Sequence, residues 1–282
     1  MKIGLVLEGG GVRGIYTAGV LDVFIEHGIV FDGVIGVSAG AIHGCSYLSK
    51  QKGRSIRYYK KYCSDPRFIS VRSLIKTGDI VGADFCYREL PEQLDLYDYE
   101  EFDRCKTPFY ATCSNLETGR AEYVLITDMK RDIDYIRASA SLPYVSRIVE
   151  INGKKYLDGG CTDSIPIKAF IQMGYEKNVV ILTRDASYRK KMCNRFAPNL
   201  VYGKYPKFAD AMLTRHTIYN RTTEYIEKLK KRNEVFVIRP NEPLNIGRLE
   251  RSAENIQRVY DIGVNDGEAC IKDLSAWLEA NR

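Results

Sequence analysis

The pentapeptide Gly36-Val37-Ser38-Ala39-Gly40 joins an apolar stretch, residues 31–37, to a run of small residues, Ala39-Gly40-Ala41-Ile42-His43-Gly44-Cys45. No other junction in the sequence constrains the fold as tightly. A β-branched run that ends at a glycine-flanked serine reads as a buried strand turning sharply into a helix, because flanking glycines admit the strained backbone that such a turn needs. Small residues on the helical side let the helix approach the sheet closely, although Gly40 and Gly44 each cost about 1 kcal/mol of helix propensity. A serine held there has its hydroxyl clear of the backbone and at the positive end of a helix.

The rest of the chain repeats this strand-to-helix alternation. Residues 2–8 form a short apolar run that stops at Gly9-Gly10-Gly11, as a buried strand does when it ends in a tight turn. Helical spacing of Ile15, Val20, Leu21, Phe24 and Ile25 predicts a helix over 13–26, closed by Gly28. Residues 54–96 are polar, aromatic and irregular, and read as an insertion with helices near 56–63 and 81–89. Strands are expected over 107–114 and 121–126 around a turn at Gly119, and over 148–151 and 154–157 around Asn152-Gly153, a strong hairpin signal. Helices over 132–140 and 165–173, a strand over 178–183, a long helix over 208–229, a strand over 235–239 and a helix over 252–277 complete the pattern. Such alternation predicts an α/β fold, with a mostly parallel sheet covered on both faces and an antiparallel addition in the middle. Residues 1–282 are expected to form one domain, since no linker, repeat or low-complexity tract divides them.

A serine nucleophile needs oxyanion donors and a base. The run Gly9-Gly10-Gly11-Val12-Arg13-Gly14 offers successive backbone N–H groups at the end of the first strand. Gly9, Gly11 and Gly14 also satisfy G-x-G-x-x-G, which raises a dinucleotide site as a competing reading. Against it, the acid expected at the end of the second strand is missing: Asp32 stands at its beginning. Arg13 either positions the glycine turn or meets a phosphate-bearing head group. For the base, only three histidines exist, His27, His43 and His216. His27 ends a predicted helix, His43 follows the serine on its own helix, and His216 lies in a polar helix as a free candidate. Asp158, at the end of the second hairpin strand and followed by Gly159-Gly160, supplies a carboxylate with flexible backbone behind it; an ordinary turn is the competing reading.

Taken together and in order, the glycine loop Gly9–Gly14, the elbow with Gly36, Ser38 and Gly40, and Asp158-Gly159-Gly160 resemble the motifs of the patatin-like phospholipase family, in its compact bacterial branch. The resemblance covers nearly all of residues 3–183, with further similar text over 112–119 (Thr112-Cys113-Ser114-Asn115-Leu116-Glu117-Thr118-Gly119) and 136–143 (Ile136-Arg137-Ala138-Ser139-Ala140-Ser141-Leu142-Pro143), read as sheet edge and supports rather than catalytic groups. It implies a three-layer α/β/α patatin-like fold and a serine acyl hydrolase acting on carboxylic esters of lipids. Ser38 would be the nucleophile and Asp158 the base of a Ser-Asp dyad without histidine. Gly9, Gly10, Gly11, Val12, Arg13 and Gly14 would form the oxyanion loop, and no cofactor or metal would be required. Asp163 adds a second carboxylate near the motif, without an evident role. The alternative is a lipid-binding or regulatory protein on the same fold that has lost useful turnover.

Composition narrows the partners. Eight scattered cysteines without a repeated C-x-x-C spacing, and a start that reads as a strand, suggest free thiols and a cytoplasmic setting. The net charge of +6, with basic runs at 50–61, 189–191 and 228–232, leaves room for peripheral contact with an anionic membrane surface. Nucleic acid is excluded as a partner, because no zinc-finger spacing or single-strand-binding signature accompanies the charge.

Overall fold

The fold is described from a computed structural model covering all 282 residues. Its apolar runs pair into one eight-stranded sheet made of β1 (Ile3–Leu7), β2 (Gly33–Val37), β3 (Phe109–Asn115), β4 (Arg120–Ile126), β5 (Val149–Ile151), β6 (Lys154–Asp158), β7 (Lys177–Ile181) and β8 (Val235–Ile238). The strand order is β5-β6-β3-β2-β1-β7-β8, with β4 also paired to β3. From β3 to β8 the pairs are parallel, and the two hairpins β3–β4 and β5–β6 are antiparallel. The helices are α1 (Ile15–Glu26), α2 (Ala39–Leu48), α3 (Arg54–Tyr62), α4 (Val71–Thr77), α5 (Tyr99–Arg104), α6 (Met129–Ser139), α7 (Ile167–Gln172), α8 (Ala197–Tyr202), α9 (Pro206–Lys231) and α10 (Ala253–Asn281).

Side chains alternate across each strand, so consecutive apolar residues feed two different cores. Leu5, Leu7, Val34, Val179 and Ile181 pack on one face with α1, α2, α3 and α10. Val6, Ile35, Val180 and Leu182 point the other way, against Phe170 of α7 and Tyr219, Ile226 and Leu229 of α9. The result is the three-layer α/β/α arrangement expected from the alternation of elements.

The insertion is where the observed elements depart from the expected ones. The helix expected over 81–89 is instead a wide-turned π segment, Phe85–Leu94, that accommodates Pro91, and α4 lies where no helix was expected. Periodicity could not reveal α4, because Val71 and Ile75 face solvent and only Leu74 of its apolar residues packs against the core. It is defined by its ends: Ser70 accepts a hydrogen bond from the Ser73 N–H, and Gly78 closes it at φ 79°. The six-residue helices α5 and α8 are likewise too short to show a stripe.

The terminal helix α10 crosses α1 so closely that side chains have no room. A side chain at Gly263 would meet the carbonyl oxygen of Tyr16, and one at Gly19 the carbonyl oxygen of Tyr260. Two hydrogen bonds flank this crossing, Tyr16 Oη to Asp266 at 2.8 Å and Tyr260 Oη to Asp22 at 2.7 Å. Gly263→Ala should therefore destabilise, although alanine gains about 1 kcal/mol of helix propensity. Overpacking costs about 1–3 kcal/mol, so a Tm lower by a few degrees is expected in thermal unfolding followed by circular dichroism. A raised Tm would show that the two helices separate freely.

Candidate active site

The edge of β3 brings the candidate residues together. β4 pairs along the whole of one edge, from Phe109 to Asn115. On the other edge β2 runs parallel as far as Val37 opposite Thr112, and β6 arrives antiparallel with Asp158 opposite Cys113. The two strands thus meet end to end at adjacent positions of the same edge, and Ser38, one residue past β2, faces Asp158. Ser38 Oγ donates to Asp158 Oδ2 at 2.7 Å, and the two residues are 5% and 3% exposed.

Each partner is held by its surroundings. Ser38 has φ 54° and ψ −121°, a strained conformation for a residue with a side chain. It persists because the turn is fixed on every side: side chains at Gly36 or Gly40 would strike the backbone of Ala41 or Leu7, and the Ser38 N–H donates to Ser139 Oγ at 2.9 Å. Asp158 is fixed through its own N–H to the Ser141 carbonyl (2.8 Å), its carbonyl from Ser114 Oγ (2.8 Å), and Oδ1 from the Gly160 N–H (2.7 Å). The stretches 136–143 and 112–119 singled out in the sequence thus contain supports of the pair, Ser139, Ser141 and Ser114.

Burial dominates the electrostatics of Asp158 and raises its pKa above the ordinary aspartate value; the positive charge of Arg215 and the hydrogen bonds from Ser38 and Gly160 oppose this. A carboxylate so placed is a stronger base than an exposed one. In the glycine loop, no group of the chain accepts a hydrogen bond from the N–H of Gly9, Gly10 or Gly11, nor from that of Ala39 at the start of α2. Such free donors suit a developing oxyanion. Val12 departs from the expectation: its N–H already donates to the Arg248 carbonyl at 3.2 Å. Arg13 and Gly14 belong to a single 3₁₀ turn, Gly11–Gly14, that leads into α1. Ala39 is a donor that the sequence reading did not name, although the residue after an elbow nucleophile commonly serves this way.

None of the three histidines hydrogen-bonds to Ser38 or Asp158. His27 meets Glu268 at 3.2 Å, and His216 Nδ1 lies 3.0 Å from the Leu213 carbonyl. His43 is fully buried against Ser55 Oγ at 2.9 Å, and burial pushes its pKa down to about 3. Asp163 turns away too, accepting from Tyr123 Oη at 2.9 Å and from the Ile165 N–H at 3.2 Å, which makes it a structural residue.

Two cavities open at Ser38. One, of about 110 Å³, is apolar and lined by side chains such as Ile42, Tyr58, Met129, Ile136 and Leu142. The other is polar and contains Asp158, the glycine loop and five cations, of which Arg13 was a named candidate and Lys190 lay in the basic run 189–191. Arg184 and Lys190 follow β7, and the carboxyl ends of parallel strands are where ligands gather. That rule could have flagged them. Arg215 and Arg248 carry no local signal.

Residues 5–171 match the family model described as patatin-like phospholipase, and residues 205–279 match a domain of unknown function (DUF6363). Ser38 and Asp158 both fall inside the first match. The chain is 30% identical over 270 residues to the uncharacterized protein YjjU of Escherichia coli, covering 93% of this chain and 75% of that one. It is 25% identical over 294 residues to the lysophospholipase NTE1 of Scheffersomyces stipitis and 26% identical over 297 residues to that of Saccharomyces cerevisiae, covering 98% and 96% of this chain. It spans only 18% and 16% of those two proteins. Among solved structures it is similar to VipD from Legionella pneumophila at 14% identity and a TM-score of 0.47, covering 96% of this chain and 67% of that one.

The raised pKa of Asp158 carries a stability consequence. The neutral acid is favoured in the folded state, so this contribution is fully present below the unfolded value of about 3.9 and is lost as pH rises through the higher folded value. Asp158→Asn, which removes the charge and keeps the shape, should raise Tm at pH 7 and lose that advantage near pH 4. Differential scanning calorimetry at both pH values checks this, and a lower Tm at pH 7 would contradict it.

Proposed function

Because the chain belongs to the patatin-like phospholipase family, we propose that it hydrolyses carboxylic esters of lipids with Ser38 as nucleophile and Asp158 as general base. The observation that carries this reading is the buried 2.7 Å hydrogen bond from Ser38 Oγ to Asp158 Oδ2, at a strained turn where an apolar and a polar cavity meet. Residues 1–282 would act as one acyl-hydrolase domain of the compact bacterial branch, in the cytoplasm with peripheral access to lipid. No helix is long and apolar enough to cross a membrane.

In this mechanism Ser38 Oγ attacks the ester carbonyl carbon as its proton passes to Asp158. The carbonyl oxygen becomes an oxyanion beside the free N–H groups of Gly10, Gly11 and Ala39. One such donor is worth about 2.7–4 kcal/mol to a transition state. Asp158 returns the proton to the departing alcohol, then takes one from the water that attacks the acyl carbon and gives it back to Ser38 Oγ as the acyl group leaves as the free acid. An exposed aspartate, with pKa near 3.9, is a weak base for a serine hydroxyl. Burial at Asp158 narrows that gap, and the direct contact removes the need for an imidazole between them.

Ser38→Ala should abolish both p-nitrophenyl butyrate turnover and fluorophosphonate labelling. Asp158→Asn should lower kcat/KM by about 10²–10⁴, while His43→Gln and His216→Gln retain it once their folding is verified. The pH profile should fall on the acid side as Asp158 is protonated, at a pH above that of an exposed aspartate, with no limb that His43 or His216 variants abolish. Near-normal turnover in Asp158→Asn together with loss in either histidine variant would move the mechanism to a Ser-His class. Tight lipid binding by the wild type without hydrolysis of any ester would instead make the chain a lipid-binding protein.

A further inference from the structure

Five cations converge on the polar cavity beside Ser38: Arg13 from the glycine loop, Arg184 and Lys190 from the segment after β7, Arg215 from α9 and Arg248 from the loop before α10. Two carboxylates share the cavity, and both are already engaged. Glu8 accepts from the Thr183 N–H at 2.6 Å and from Tyr219 Oη at 2.7 Å, and Asp158 accepts from Ser38 and Gly160. None of the five cations forms a salt bridge, although the protein's other ion pairs range from the exposed Lys52–Glu26 to the buried Arg54–Asp95. The buried Nε atoms of Arg13 and Arg215 have no hydrogen-bond partner at all.

Such crowding has a cost. The Lys190 ammonium is pushed down to about 7, first by burial and then by Arg215, and the Arg13 guanidinium down to about 10, first by burial and then by Arg184. Five cations against two carboxylates leave an excess of positive charge that an anion relieves, and the anion has to be large in charge and rich in acceptors to engage several of them. A phosphate monoester carries about −1.5 to −2 charge and three acceptor oxygens, and it suits both guanidinium forks and a lysine point charge. A carboxylate satisfies a single fork. A quaternary ammonium would need aromatic faces, but the two rings of the cavity are taken: Arg184 lies over Tyr188 at 4.1 Å and Lys190 over Tyr219 at 4.2 Å.

The cavity shares Gly11, Ser38, Leu142 and Arg248 with the apolar one. An ester seated at Ser38 therefore has an apolar space on one side and the cations on the other. We propose that the cationic cavity is a head-group subsite for a terminal phosphate, so that the preferred substrate is an acyl ester whose alcohol part carries a phosphate monoester, as in an acylated glycerol phosphate. The assignment of the head group to the alcohol side rests on the reading of Ser38 as nucleophile. The four cations besides Arg13 lie beyond the residues matched by the patatin-like phospholipase model, and Arg215 and Arg248 lie within the second match. Head-group choice is thus supplied by the C-terminal part of the chain and the catalytic pair by the N-terminal part.

Equilibrium binding to the Ser38→Ala protein, which separates recognition from turnover, tests the proposal. Isothermal titration would compare a short-chain acyl glycerol phosphate, its phosphocholine counterpart and the head-group-free monoacylglycerol, all below their micellar concentrations. The phosphate monoester should bind at least about tenfold tighter than either of the others, since one charge-assisted hydrogen bond corresponds to roughly a tenfold change or more. Lys190→Gln or Arg184→Gln in the same background should each remove about that factor, and Lys190→Arg should restore most of it. Inorganic phosphate should compete with the lipid. Equal affinity for the three lipids would overturn the proposal, and so would a preference that survives both glutamine substitutions. Simultaneous binding of inorganic phosphate and lipid would overturn it as well, by making the cavity a site for a free anion. If a glutamine variant fails to unfold cooperatively, the head-group ranking with the intact cavity decides alone. Absence of ester hydrolysis by the wild type would refute the role of Ser38 and leave this ranking as it stands.

Discussion

The hydrogen bond between Ser38 and Asp158, which joins residues 120 positions apart, depends on how one strand edge is shared. Because β4 fills one side of β3 along its full length, β2 and β6 have only the other side, and they divide it between Thr112 and Cys113. Neither strand can lengthen without displacing the other. The strained serine, the three backbone anchors of Asp158 and the contact from Ser139 are consequences of two strand ends brought nose to nose. The same crowding buries the pair, and burial is what raises the basicity of the aspartate.

Around this pair the chain builds two unlike environments from two unlike sources. The apolar cavity draws on α2, α6 and the aromatic insertion, where Phe68 packs edge to face with Tyr58, Tyr59 and Phe85. The polar cavity draws on segments that come after β7, with α9 contributing Arg215 and Tyr219. The loop before α10 is tied to the glycine loop by the Val12–Arg248 hydrogen bond, and α10 itself is locked against α1 through Gly19 and Gly263. The C-terminal part is thus fastened at two points to the elements that carry the serine, which lets distant cations hold fixed positions beside it.

Much of this was legible in the sequence, because the signals concerned are local. A glycine-flanked serine between an apolar run and a small-residue run fixes a strand-turn-helix unit by backbone sterics alone, and Asn152-Gly153 fixes a hairpin by its positive φ angles. Continuous apolar runs in β1, β2 and β7, alternating with helical stretches, announced a sheet covered on both faces. What the sequence could not announce were elements without an apolar stripe, such as α4, or a π segment running through Pro91.

The sequence by itself therefore determined the order of the strands and of the longer helices, the elbow at Ser38, the glycine loop and the carboxylate at the end of β6, since each follows from the conformational preferences of a few consecutive residues. Tertiary structure alone decided that Asp158 rather than His43 or His216 faces the serine, that Val12 is withdrawn from the loop's free donors, and that Arg184, Lys190, Arg215 and Arg248 stand beside Arg13 without salt bridges and in excess over the two carboxylates there. The physical reason is the range of the interactions involved. Dihedral preference and periodicity act over a few residues, whereas strand register, burial and the summed field of five cations are set by segments that meet only once the sheet has closed its layers around them.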